Sequence, residues 1–84
     1  IMTDVWISMG DKNKNKLKFL KNFTVNKKII SEASKDVIFM HCLPAKRGQE
    51  VTSDVLDGVH SVILDQAKNR MFIQQAILIH VLDL

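Results

Sequence analysis

Eighty-four residues form at most one small domain, and at that size a buried core is only marginally able to hold a fold. An apolar content of 46% excludes a disordered tail, while a single cysteine excludes an internal disulfide and points to a reducing, cytoplasmic compartment. Twelve basic against nine acidic residues leave a charge of only +3, too slight to argue for nucleic acid, and no leader or apolar run of the roughly 20 residues that span a membrane is visible.

The chain opens on a predicted strand, Ile1 to Ile7, in which Val5, Trp6 and Ile7 are good strand formers with no turn before them. Ser8 and Met9 lead to Gly10, which supplies the backbone freedom of a turn or hinge. Asp11 to Asn22 reads as a weakly amphipathic helix with Leu17 and Leu20 on one face among lysines. Thr24 and Val25 suit a short strand or turn, and Asn26 is placed to cap a helix through Ser34 whose inner face is Ile29, Ile30 and Ala33. A second predicted strand, Val37 to Met40, runs directly into His41, Cys42, Leu43 and Pro44. The order strand, helix, helix, strand implies a parallel crossover, and the end of such a strand is where open α/β sheets place ligand-binding residues.

After Pro44 comes a polar loop, Ala45 to Glu50, and then Thr52 as the cap of a short helix over Ser53 to Leu56. Asp57-Gly58 marks a turn, Ser61 to Leu64 a brief strand, and Asn69 to Leu84 a helix so apolar that it needs cover on more than one side. The fold class expected from these elements is α/β: a partial Rossmann-like parallel sheet with flanking helices, cut from a larger domain.

Candidate chemistry gathers at few positions. Cys42, at the end of an apolar strand, reads by itself as a small hydrophobe more readily than as a functional thiol. His41 does not form a dyad with it by adjacency, because consecutive strand residues point to opposite faces. His41, Cys42, His60 and His80 lack the paired spacings of zinc ligands. Asp4 either faces solvent at a sheet edge or is a carboxylate held for a cation. Arg70, expected at the start of the last helix, sits where cations are disfavoured, unless an anion such as phosphate joins it there.

In combination these residues become recognisable. Asp4-Val5-Trp6-Ile7-Ser8-Met9-Gly10 resembles the D-x-W-x-S-M-G loop of the ornithine carbamoyltransferases, His41-Cys42-Leu43-Pro44 their H-C-L-P motif, and Ala67-Lys68-Asn69-Arg70 their A-E-N-R segment. Arg47-Gly48-Gln49-Glu50-Val51-Thr52 is similar to their R-G-x-E-V-T. The resemblance covers essentially the whole chain and makes residues 1–84 an incomplete carboxy-terminal ornithine-binding domain. In that reading the last helix packs on an amino-terminal domain.

The resemblance implies transfer of the carbamoyl group of carbamoyl phosphate to the δ-amine of ornithine, giving citrulline and phosphate. Asp4, Ser8 and Met9 would hold the amino-acid end of ornithine. Cys42 would accept a proton from the reacting amine, Leu43 would offer its carbonyl to the carbamoyl nitrogen with Pro44 following a cis bond, and Arg70 would bind carbamoyl phosphate and stabilise its developing charge. No metal or organic cofactor is implied, and a homotrimer is expected of the complete protein. Cys42 separates this reading from the aspartate carbamoyltransferases, which carry another residue there, and a putrescine-specific enzyme has no α-carboxylate for Ser8-Met9-Gly10 to receive.

Departures from the pattern are Lys68 in place of the usual Glu, and a basic, Asn-rich stretch from Asp11 to Lys16. The phosphate-binding S-x-R-T motif and the H-P-x-Q motif of the other domain do not occur in the 84 residues. The fragment is therefore expected to be inactive alone. The alternative is a non-enzymatic truncated gene product, or a piece that associates with other chains through its last helix.

Overall fold

The structure, a computed structural model, describes residues 1–8 and 15–84. Met9, Gly10 and the first part of the helix predicted from Asp11 lie outside the described residues. Strands β1 (Met2–Thr3) and β2 (Met40–His41) form a parallel pair, with Met2 opposite Met40 and Thr3 opposite His41. Parallel neighbours require a crossover. It contains α1 (Lys16–Leu20), a 3-10 turn (Lys21–Phe23) and α2 (Lys27–Glu32), as the strand, helix, helix, strand order predicts.

The strands are shorter than the sequence implies. β1 stops at Thr3 instead of Ile7, and at Asp4 the side chain takes over: Asp4 Oδ1 accepts from the Val5 N–H at 2.7 Å, a local bond of the kind that competes with a ladder. β2 is Met40–His41, not Val37 to Met40, and Phe39 extends its pairing on the other edge through a single bridge to Ser61. Val25 likewise makes one parallel rung, donating to the Glu50 carbonyl at 2.9 Å and accepting from Thr52 at 3.1 Å.

The core is Val25, Phe39, Val51, Val55 and Leu56, with Ile30, Ala45 and Ile63 packed against it. Asn26 caps α2 as predicted, its Oδ1 accepting from the Ile29 N–H at 3.1 Å. The helix ends at Glu32, and its inner face reduces to Ile30 because Ile29 is exposed. α3 (Ser53–Leu56) turns Val55 and Leu56 into the core. Thr52 precedes it, but its hydroxyl bonds the Asp54 carboxylate and not a backbone N–H. At Gly58 a Cβ would run into the Asp54 carbonyl oxygen, so the turn after α3 takes glycine.

Helix α4 (Ile63–Val81) begins at Ile63 and not at Asn69, and it absorbs the strand predicted over Ser61 to Leu64. The exchange happens at Val62, whose N–H donates to the Phe39 carbonyl while its own carbonyl accepts the helical bond from Gln66. Beyond its first turns α4 is exposed on every side, with Phe72 at 48% and Leu78 at 57%, so the cover its sequence asks for is not supplied by the described residues. Among the described residues no helix is long and apolar enough to cross a membrane.

A polar staple ties the loop after Pro44 to the carboxyl end of α3. Arg47 Nη1 and Nη2 donate to the two carboxylate oxygens of Asp57 at 2.5 and 2.9 Å. This side-chain hydrogen bonding holds the Asp57 carboxyl below its ordinary value. Both groups are solvated, so the bond adds little to stability. Its contribution is full above the ordinary Asp range and is lost as pH falls through the lowered folded value. Urea unfolding of Asp57→Asn and the parent protein should therefore give midpoints that differ slightly at neutral pH and converge on acidification. A difference that persists in strong acid contradicts the assignment.

Candidate active site

β2 delivers His41 inward and Cys42 outward, the alternation expected of consecutive strand residues. The His41 ring is buried and fully engaged. Its Nδ1 accepts from the Leu43 N–H at 2.8 Å, so the ring proton must sit on Nε2, which donates to Glu50 Oε1 at 2.8 Å. The same Glu50 oxygen accepts from the Lys46 N–H at 2.7 Å. Glu50 is completely buried, and its Oε2 has no hydrogen-bond partner among the described residues. Leu43 is held in the left-handed region, with φ of 55°, and is followed by a cis peptide to Pro44.

Cys42 is exposed, and it lines a cleft of about 830 Å³ between the end of β2 and one face of α4. Met40 and His41 form the β2 wall, and Gln66, Asn69, Arg70 and Ile73 the α4 wall. Gln66, Arg70 and Ile73 recur at helical spacing, which is why one face carries all three. The structure thus brings Cys42 and Arg70 to one cavity. Arg70 is in the interior of α4 and not at its start, so the expectation of an anion bound at a helix terminus there is overturned.

The other predicted site residues are placed differently. Asp4 and Cys42 each follow a residue of the paired couple Thr3 and His41, so both stand at the carboxyl end of the sheet. Asp4 and Ser8 are exposed and neither lines the cleft; Leu43 is half-buried beside it, and Met9 lies outside the described residues. Lys68 does not line the cleft: its Nζ lies 5.9 Å from the centroid of the Phe72 ring. The charge reversal there is off the wall that carries Arg70. Among the described residues no group of three or more His, Cys, Asp or Glu side chains is placed to hold a metal ion.

Two residues were not singled out by sequence reasoning. Glu50 carried one signal, a carboxylate lodged beside Val51 within a segment already noted as a motif. Gln66 carried none.

The family model described as Aspartate/ornithine carbamoyltransferase, Asp/Orn binding domain matches residues 1–81. The ornithine carbamoyltransferase of Rhodopseudomonas palustris is 53% identical over 79 residues, which are 93% of this chain and 26% of that protein. The solved structure of the Pyrococcus furiosus ornithine carbamoyltransferase superposes with a TM-score of 0.85 at 49% identity, over 94% of this chain and 26% of that one. The anabolic enzyme of Campylobacter jejuni gives 0.89 at 38% identity, over 99% of this chain and 28% of its own.

The fold is a parallel-strand and helix portion of a transcarbamylase, and the chain belongs to the aspartate/ornithine carbamoyltransferase family. It spans about a quarter of the length of the curated relatives it matches.

Removing the Glu50 carboxylate strands two donors, the buried His41 Nε2–H and the part-buried Lys46 N–H. Glu50→Ala should cost about 3 kcal/mol in denaturant unfolding, the range for breaking a buried polar pair. A loss below about 1 kcal/mol would mean that water replaces the carboxylate freely.

Proposed function

We propose that these residues are the carboxy-terminal, ornithine-binding part of an enzyme that transfers the carbamoyl group of carbamoyl phosphate to the δ-amine of ornithine. The observation that carries the reading is the meeting of Cys42 and Arg70 in one cleft at the carboxyl end of a parallel sheet. Family membership and relatives named ornithine carbamoyltransferase support it.

The chemistry follows from the groups present. The δ-ammonium must lose a proton before it can attack, and the Cys42 sulfur at the cleft wall, as the thiolate, takes it and becomes the thiol. As the amine bonds to the carbamoyl carbon, negative charge grows on the carbonyl oxygen, and the Arg70 guanidinium stabilises it until phosphate leaves. The Leu43 carbonyl receives the carbamoyl N–H. Asp4 pairs with the α-ammonium, while Ser8 and Met9 receive the α-carboxylate.

The cleft has one wall from β2 and one from α4, and the phosphate-binding groups belong to an amino-terminal domain outside these residues. That domain covers the apolar faces of α4, and the complete enzyme is a cytoplasmic homotrimer. These 84 residues alone do not turn over. A second reading, a non-enzymatic piece that associates through α4, draws on the exposure of Phe72, Ile73 and Leu78.

The test is citrulline formation by the full-length chain. Cys42→Ala should lower kcat by about 100-fold or more. Asp4→Asn should raise the KM for ornithine and leave that for carbamoyl phosphate unchanged. Normal turnover without Cys42 defeats its role, and parallel rises in both KM values defeat that of Asp4.

A further inference from the structure

The carboxyl end of β2 is held on the α4 side by a side chain where a strand would otherwise be. Phe39 is bracketed in the regular parallel pattern, its N–H donating to the His60 carbonyl at 2.8 Å and its carbonyl accepting from the Val62 N–H at 3.0 Å. The next donor on that edge is the His41 N–H, whose regular acceptor would be the Val62 carbonyl. That carbonyl is occupied, accepting from the Gln66 N–H at 2.9 Å as α4 starts. The His41 N–H donates instead to Gln66 Oε1 at 3.0 Å. Gln66 therefore takes the strand's carbonyl with its main chain and replaces it with its side chain.

We propose that Gln66 is a positioning residue for carbamoyl transfer: its amide oxygen fixes the Cys42 end of β2 against α4, so that Arg70 faces Cys42 across the cleft. This rests on the function proposed above. Cys42 follows His41 directly, and Arg70 lies one helical turn beyond Gln66 on the same face. Among the described residues no other side-chain hydrogen bond joins β2 to α4. Loss of the oxygen leaves the His41 N–H unpaired and frees the strand end to shift along the helix. A shift of about 1 Å between reacting groups is enough to cost roughly 100-fold in rate.

Gln66→Leu keeps the bulk and removes the acceptor, whereas Gln66→Glu keeps an acceptor oxygen. In the full-length chain Gln66→Leu should speed amide hydrogen exchange at His41 and lower kcat by about 10- to 100-fold with the ornithine KM nearly unchanged. Gln66→Glu should restore both. Gln66→Met, with its weak thioether acceptor, replaces the leucine variant if that variant does not fold. Unaltered exchange overturns the proposal, as does fast exchange with normal kcat or failure of the glutamate variant to restore. If the parent chain makes no citrulline, the carbamoyl-transfer reading falls by itself. Alkylation of Cys42 by iodoacetamide then decides the positioning claim: a rate changed in Gln66→Leu and restored in Gln66→Glu upholds it, and equal rates in all three overturn it.

Discussion

One buried hydrogen bond, from the His41 imidazole to the Glu50 carboxylate, is the constraint on which the site depends. A carboxylate with no solvent exposure is costly unless its charge is met by donors, and Glu50 Oε1 receives two of them. Those donors come from the end of β2 and from the loop after Pro44, so satisfying the charge fixes both segments at once. Glu50 also lends its main-chain carbonyl to Val25, and its neighbour Val51 fills the centre of the core. Core, loop and strand end are consequently one unit. The Leu43 N–H bond to the same imidazole carries that rigidity to the backbone on either side of Cys42.

The cleft obeys the general rule for open α/β sheets, which gather ligand-binding groups beyond the carboxyl ends of their parallel strands. The register of Thr3 with His41 puts Asp4 and Cys42 at that end, and the cleft-lining face of α4 puts Arg70 across from it. What distinguishes this chain from a closed pocket is the remainder of α4. A helix apolar on several faces and exposed on all of them lacks, among the described residues, the cover that its composition calls for.

Much of this was legible in the sequence because short-range chemistry fixed it. Asn26 capped its helix, Thr52 preceded the turn of helix over Ser53 to Leu56, and the two strand runs paired in parallel across helices. The resemblance carried by His41-Cys42-Leu43-Pro44 found the strand end that the structure makes a cleft wall. Strand lengths were not legible, since a β-prone run such as Val5-Trp6-Ile7 extends only where a partner exists to receive its donors. The start of α4 was hidden for a related reason: Ser61 to Leu64 is a short apolar, β-branched run that suits a strand, and only the commitment of Val62 to both ladder and helix settles the boundary. Gln66 acts through a contact 25 residues away in sequence, and the burial of Glu50 against His41 is a tertiary fact that its place in the Arg47 to Thr52 motif does not state.

The amide of Gln66 also bears on how this sheet meets other chains. An unpaired donor at a strand end is a template on which a foreign strand can start to pair, the route by which exposed edges lead to aggregation. On the α4 side of β2 that donor is already occupied, and by a group anchored in a helix and unable to continue the ladder. The sheet is thereby capped as well as positioned: a single side chain closes the border at which further strands would be recruited.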